Sequence, residues 1–182
     1  MSPAIAQPAR LAPCIVLIGM AAAGKSTVGE SLSRTLDWAF MDSDHLIESC
    51  YGTSLEDISR TLGKEAFLDV ECLVIRSIQA HRCVIATGGS VVYRDEGMHH
   101  LASLGPLVYL DVAFSVIQRR IVAKPQRGLA IAPGQSIRDL YAEREPRYRA
   151  WANVRLTVGD MPPQACADAI LAMLDPATLA EG

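Results

Sequence analysis

The chain has 182 residues, half of them apolar, which is enough for one α/β domain with a full hydrophobic core. Its net charge of −3 and its few aromatic residues argue against a nucleic-acid partner. The five cysteines are odd in number and lack C-x-x-C spacing, so neither a zinc site nor a disulfide framework is expected. No apolar run approaches the ~20 residues of a membrane span. We expect a cytoplasmic monomer with no membrane partner.

Short apolar runs predict strands, and the segments between them carry helical patterns. Residues 1–13, with three prolines, are interpreted as a flexible tail ahead of a single domain over 14–176. Strands that alternate with helices require crossover connections, which predicts a three-layer α/β/α fold around a five-stranded parallel sheet. The predicted strands cover 14–18, 38–41, 83–86, 107–110 and 154–158, and the predicted helices cover 24–36, 43–80 with breaks near Gly52 and Gly63, 95–104, 113–122, 136–151 and 163–174.

Residues 19–26, Gly-Met-Ala-Ala-Ala-Gly-Lys-Ser, match the phosphate-binding pattern G-x-x-x-x-G-K-[ST]. They follow a predicted strand and open a predicted helix, which is the context that this P-loop motif requires. The glycines allow the backbone to direct N–H groups at phosphate, while the lysine suits the outer phosphates and the serine suits Mg²⁺. The alternative is a glycine turn that only starts a helix. The predicted nucleotide-binding residues are Gly19, Ala21, Ala22, Ala23, Gly24, Lys25, Ser26 and Thr27.

Two aspartates follow the second predicted strand, at the end of the sheet where open α/β folds bind ligands. Asp42 and Asp44 are separated by one residue, so both can project toward one cleft. One carboxylate suits Mg²⁺, and the other suits accepting or orienting the proton of a hydroxyl group. The alternative is that Ser43 and Asp44 merely supply a helix cap and a solvated charge.

From about residue 14 to 174 the chain resembles the shikimate kinase family. No single motif after the phosphate loop is specific, but their order and spacing together are. The matching segments are F-x-D-x-D-x-x-I-E at 40–48, G-x-x-x-F-x-x-x-E at 63–71, A-T-G-G at 86–89, the strand at 107–110, an arginine-led segment at 127–130 and R-x-x-x-Y at 144–148.

The resemblance implies an adenylate-kinase-like P-loop fold with a lid over about 124–134. It also implies ATP and Mg²⁺ as cofactors, and transfer of the γ-phosphoryl group of ATP to a hydroxyl of a small carboxylate-bearing metabolite, which in this family is shikimate. Roles are implied by position. Lys25, Asp44 and Arg127 would be catalytic, and Ser26 and Asp42 would bind the metal. Arg120 would lie beside the adenine. The acceptor would be bound by Asp44, Arg144 and the backbone N–H groups of Gly88 and Gly89.

The chain departs from the family pattern mainly in the half of the site that would bind the acceptor. The family has a second carboxylate-binding arginine after the phenylalanine of the third motif, and this chain has Leu68 there. We expect Leu68 to place apolar surface beside the acceptor, with Arg60 or Arg76 as candidate replacements for the missing cation. Another small hydroxy acid such as homoserine is therefore an alternative acceptor, and a nucleotide-binding metabolite sensor is a rival function. Smaller departures are Ala22, Ser90, Gly128 and Ala130.

Overall fold

The computed structural model describes residues 13–123, 131 and 134–180. Five parallel strands form one sheet in the order β2-β3-β1-β4-β5, which confirms the predicted sheet. The strands are β1 (Ile15–Ile18), β2 (Ala39–Asp42), β3 (Cys83–Ala86), β4 (Leu107–Val112) and β5 (Val154–Val158). The helices within the described residues are α1 (Lys25–Leu36), α2 (Ser43–Tyr51), α3 (Leu55–Leu62), α4 (Lys64–Ser77), α5 (Asp95–Leu104), α6 (Phe114–Ala123), α7 (Ile137–Trp151), α8 (Pro163–Met173) and α9 (Pro176–Ala180).

The three inner strands consist of continuous apolar or buried residues, as expected for a sheet covered by helices on both faces. Every residue of β1, β3 and β4 is buried, whereas the edge strands β2 and β5 contain exposed positions. β1 lies at the centre of the sheet, paired with β3 on one side and β4 on the other. The carboxyl end of β1 is therefore where a sheet of this kind leaves a crevice for a ligand.

The long helical segment between β2 and β3 is divided into α2, α3 and α4 at the two glycines that the sequence indicated. Gly52 ends α2 with a φ of 66°, and Gly63 ends α3 with a φ of 75°. Both values lie in the region that glycine adopts at little cost. The predicted breaks in this segment are therefore confirmed.

The apolar interior has two parts, a large core around the sheet and a smaller group among α2, α3 and α4. The smaller group, called the satellite cluster below, consists of Ile47, Ile58, Phe67, Leu68 and Val74, none more than 5% exposed. Because α2 starts directly after the last residue of β2, the satellite cluster fixes these helices beside the carboxyl end of the sheet.

Some features were not predicted or cannot be compared with prediction. A short 3₁₀ turn at Val91–Tyr93 follows β3, and α9 extends beyond the last predicted helix. The predicted tail and most of the predicted lid lie outside the described residues, so both remain predictions. None of the helices described has the length and apolar character needed to cross a bilayer.

Candidate active site

The phosphate loop, residues 19–26, leaves the end of β1 and leads into α1. Gly19 has a φ of 144° and Gly24 has a φ of 101°. A Cβ atom at residue 19 would lie 2.9 Å from the carbonyl oxygen of Leu110, so space as well as conformation requires glycine there. Ala22 also has a positive φ, 64°, which is unfavourable for a residue with a side chain. The loop thus has the curled backbone that directs N–H groups at a phosphate.

Two cationic side chains are bound to carbonyl oxygens of this loop. Nζ of Lys25 donates hydrogen bonds of 2.8 Å to the carbonyl oxygens of Gly19 and Met20. Nη1 of Arg120, on α6, donates to the carbonyl oxygen of Ala22 at 3.1 Å and to that of the next residue at 3.3 Å. The predicted nucleotide residues therefore meet in one place. The place of Arg120 beside an adenine stays a prediction, because its contacts here are with the loop.

A chain of hydrogen bonds joins the phosphate loop to the end of β2. The Ser26 hydroxyl donates to Oδ2 of Asp42 at 2.6 Å, and Oδ1 of Asp42 accepts from the backbone N–H of Asp44 at 3.0 Å. Asp42 is thus the N-cap of α2 as well as the partner of Ser26. The two side chains predicted to bind a metal are adjacent. Asp44 is partly buried, so it is not the solvated charge of the alternative interpretation.

One cavity of about 1010 Å³ contains both halves of the predicted site. Its lining includes the phosphate loop and Arg120, and also Asp44, Gly88, Gly89 and Arg144. A nucleotide bound on the loop and an acceptor bound beside Asp44 would therefore share one cavity. This arrangement suits direct transfer of a group between the two ligands.

Gly88, which follows β3, lies against two carboxylates. A Cβ atom at residue 88 would come within 2.7 Å of both Oδ1 of Asp44 and Oε1 of Glu71. Both oxygens are fully buried, and neither has a hydrogen-bond partner among the described residues. Glu71 as a whole is only 2% exposed. Residue 88 is therefore a glycine because the two carboxylates fill the space beside it.

The environment of these carboxylates favours their neutral forms. Burial, followed by the charge of Asp42, raises the pKa of Asp44 to about 6. Burial, followed by the charge of Asp44, raises the pKa of Glu71 to about 8, against the opposing effect of a hydrogen bond with Ser90. Strongly shifted pKa values caused by burial and a specific charged neighbour are typical of functional sites.

Arg144 is a buried cation on the acceptor side of the cavity, only 1% exposed. Its Nε atom donates to the Tyr93 hydroxyl at 3.1 Å, and its guanidinium carbon lies 5.0 Å from the centre of the Tyr93 ring. Nζ of Lys64 is 5.0 Å from the same ring centre, and the guanidinium carbon of Arg147 is 5.2 Å from it. Of these cations Arg144 lines the cavity, and its guanidinium group suits the carboxylate of an acceptor.

Gly88, which follows β3, differs from expectation in what its backbone N–H binds, whereas the expected contact of the Gly89 N–H with the acceptor stays a prediction. The N–H of Gly88 was expected to face the acceptor, but it donates to the Ser43 hydroxyl at 3.0 Å because the start of α2 packs against this turn. The carbonyl oxygen of Gly89 accepts from the Tyr148 hydroxyl. Both glycines still line the cavity.

The expectation for Leu68 also needs correction. Leu68 is 2% exposed within the satellite cluster and is not part of the cavity lining, because its helix turns it toward α2 and α3. Arg60 is exposed and paired with Asp57, and Arg76 is exposed on α4. Neither arginine lines the cavity, so neither replaces the missing cation in this structure. Arg127 lies outside the described residues, and its role stays a prediction.

Sequence reasoning did not place Glu71 or Tyr93 in the site. Glu71 follows the buried Phe67 by four residues and therefore shares its face of α4, which was a signal that this carboxylate is not solvated. Tyr93 belongs to the 3₁₀ turn that was not predicted. Its contact with Arg144 joins residues far apart in the chain, so no local pattern could have indicated it.

A family model described as shikimate kinase matches residues 21–175. The shikimate kinase of Chromohalobacter salexigens is 35% identical over 162 residues, which cover 87% of this chain and 90% of that protein. The shikimate kinase of Aquifex aeolicus is 32% identical over 162 residues, which cover 88% of this chain and 95% of that protein. The structure of shikimate kinase from Acinetobacter baumannii in complex with shikimate has a TM-score of 0.81, at 31% identity, and covers 90% of this chain and 93% of that one.

The parallel sheet, the phosphate loop at its central strand and the shared cavity define a P-loop kinase that acts on small molecules. It uses ATP and transfers a phosphoryl group to a hydroxyl of a small carboxylate-bearing metabolite. The chain belongs to the shikimate kinase family.

Proposed function

We propose that this protein phosphorylates shikimate with Mg²⁺-bound ATP. One observation carries the proposal: the phosphate-loop lysine, Lys25, and the acceptor-side residues Asp44 and Arg144 line the same cavity. The Acinetobacter baumannii relative, which was solved with shikimate, supports shikimate as the first acceptor to test.

In this proposal each end of the cavity has one task. Lys25 holds the outer phosphates of ATP and neutralises charge that develops during transfer. Asp44 orients the attacking hydroxyl and accepts its proton, for which a pKa raised to about 6 is better suited than that of an ordinary aspartate. Arg144, held by Tyr93, binds the acceptor carboxylate. Arg127 is proposed to contact the transferring phosphoryl group from the lid.

Mg²⁺ fits the oxygen atoms at the junction of the phosphate loop and β2. The Ser26 hydroxyl and the Asp42 carboxylate are hard oxygen ligands, already 2.6 Å apart. The described residues contain no group of three or more His, Cys, Asp or Glu that would bind a metal alone. Ser26 and Asp42 would hold the ion together with phosphate and water oxygens, and the ion would neutralise phosphate charge.

The test is an ADP-release assay with ATP, Mg²⁺ and shikimate, run on the wild type and on Lys25→Ala. We expect shikimate-dependent turnover in the wild type and a fall in kcat of about 10²-fold or more in the variant, because a charge partner of the transition state is lost. Background turnover in the wild type, with ligand binding retained, would favour the metabolite-sensor function instead. A monomeric state and a cytoplasmic location remain predictions from the sequence.

A further inference from the structure

Two tyrosine hydroxyls hold the guanidinium group of Arg144. Its Nε atom donates a hydrogen bond of 3.1 Å to the hydroxyl of Tyr93. Burial raises the pKa of Tyr148, and a hydrogen bond with Arg144 acts in the opposite direction, which places the second hydroxyl against the same guanidinium group. An arginine that is only 1% exposed requires partners of this kind, because a buried cation without them is costly.

The two tyrosines differ in how deeply they are built into the fold. Tyr148 is fully buried, its ring is stacked on that of Tyr109 with centres 5.3 Å apart, and its hydroxyl donates to the carbonyl oxygen of Gly89. It therefore belongs to the core. Tyr93 lies in the 3₁₀ turn after β3 and is partly exposed. Removal of the Tyr93 hydroxyl should accordingly leave the core in place.

The hydrogen-bonding direction of the Tyr93 hydroxyl is set by Glu143. Glu143 accepts a hydrogen bond of 2.7 Å from Nε2 of Gln135. Against the effect of burial, hydrogen bonds with Tyr93 and Gln135 lower the pKa of Glu143, so its carboxyl group is ionised near neutral pH. A carboxylate can only accept, and a phenol hydroxyl has a single proton. Tyr93 therefore donates to Glu143, and its oxygen accepts from Nε of Arg144.

This arrangement fixes the direction of the remaining N–H groups of Arg144. The guanidinium group is planar, so fixing one N–H group orients the others. A Cβ atom at residue 89 would lie 3.2 Å from Nη1 of Arg144, so this nitrogen lies against Gly89. Both Arg144 and Gly89 line the cavity. A carboxylate that enters the cavity would thus meet a donor whose orientation depends on Tyr93.

We propose that Tyr93 is a positioning residue for the acceptor, because it fixes the orientation in which Arg144 receives the acceptor carboxylate, with Glu143 orienting the Tyr93 hydroxyl in turn. The proposal rests on the proposed function, which places that carboxylate at Arg144. Tyr93 is not among the residues that line the cavity, so it acts through Arg144. Its effect therefore falls on the affinity for the acceptor and not on the use of ATP.

Tyr93→Phe tests this role, since it removes the hydroxyl and keeps the ring beside the cation. We expect the KM for shikimate to rise by about tenfold, as the loss of one hydrogen bond to a charged group allows. The KM for ATP and the kcat at saturating shikimate should stay within about twofold of the wild type. Tyr51→Phe is the matched control, because Tyr51 is exposed at the end of α2, and its kinetics should equal those of the wild type.

A second comparison assigns the effect to the carboxylate. Methyl shikimate has the same ring and hydroxyls, but its carboxyl group carries no charge. It should bind more weakly than shikimate, and Tyr93→Phe should bind it as the wild type does. Glu143→Ala should raise the KM for shikimate severalfold, because the Tyr93 hydroxyl loses the group that orients it. If Tyr93→Phe fails to fold, Glu143→Ala with the same two acceptors decides the proposal.

Three results would overturn the inference. They are an unchanged KM for shikimate in Tyr93→Phe, an equal loss of affinity for methyl shikimate, and an equal rise in the KM for ATP. The last two would mean that the substitution distorts the site in general. Calorimetry of shikimate binding gives the same decision if turnover is at background, a result that would reject only the proposed function. Shikimate that neither binds nor reacts would reject both.

Discussion

One carboxylate oxygen of Asp42 accepts a hydrogen bond of 2.6 Å from the Ser26 hydroxyl. Its other oxygen caps α2 by accepting a hydrogen bond of 3.0 Å from the backbone N–H of Asp44. A single side chain therefore connects the phosphate loop to the helix that carries Asp44. A change in the position of the metal or of the outer phosphates would act on the acceptor side through this residue.

Asp42→Asn tests this connection. Asparagine can still cap α2 through its carbonyl oxygen, but it loses the charge that favours Mg²⁺. We expect the Mg²⁺ concentration for half-maximal activity to rise by about tenfold or more, with a thermal unfolding midpoint close to that of the wild type. Asp37→Asn, an exposed aspartate at the end of α1, serves as the control. An unchanged Mg²⁺ dependence would mean that Asp42 only caps the helix.

Asp44→Asn separates the chemistry at Asp44 from its packing. The substitution keeps the size of the side chain, removes the proton acceptor, and removes a negative charge that raises the pKa of Glu71. We expect kcat to fall by about 10²- to 10⁴-fold, with little change in ATP affinity and no loss of thermal stability. Kinetics with shikimate and ATP titration by calorimetry measure these effects. Normal turnover would show that Asp44 has no catalytic part.

Leu68→Arg tests the correction made for this position. Leu68 is 2% exposed, so an arginine there would either bury its charge in the satellite cluster or disrupt that cluster. We expect the thermal unfolding midpoint to fall by several degrees, by about 2–4 °C for each kcal/mol lost in a domain of this size. Leu73→Arg, on the same helix but 70% exposed, should leave the midpoint nearly unchanged. A stable Leu68→Arg protein with a lower KM for shikimate would instead show that residue 68 can reach the acceptor.

The raised pKa of Glu71 predicts that the folding stability of the protein depends on pH. Its pKa is raised from the ordinary value of 4.5 to about 8, so the folded protein holds this proton more tightly than the unfolded chain does. The free energy of unfolding should therefore fall as the pH rises through the window between those two values. Glu71→Gln removes this effect and should stabilise the protein near pH 8 while having little effect near pH 4. Thermal melts across this range measure it, and a variant less stable than the wild type at pH 8 would contradict the expectation.

Local patterns in the sequence were sufficient to predict most of the fold and the nucleotide side of the site. The apolar runs predict the inner strands, and the glycines at 52 and 63 predict the helix ends. Both signals depend only on residues close together in the chain, where prediction from a sequence pattern is strongest. The family resemblance implied that Ser26 and Asp42 bind one metal, and the structure brings the two side chains together.

The acceptor side was harder to predict because it depends on the orientation of α4. A motif match places residue 68 in the chain, but the helix rotation decides whether it faces the cavity or the satellite cluster. The same rotation turns Glu71 toward Asp44, a contact between residues 27 positions apart whose energetic effect comes from burial. The spacing of residues in the sequence therefore does not predict the burial of Leu68 or the contact between Glu71 and Asp44.

The separate satellite cluster has a consequence for how this family diverges. The five residues that pack α2, α3 and α4 together are distinct from the core that supports the phosphate loop and β1. None of the five lines the cavity, so substitutions among them would act on the acceptor side only by moving α2 and α4. Such exchanges would leave the phosphate loop on its own core, and the two ends of the cavity can therefore vary independently.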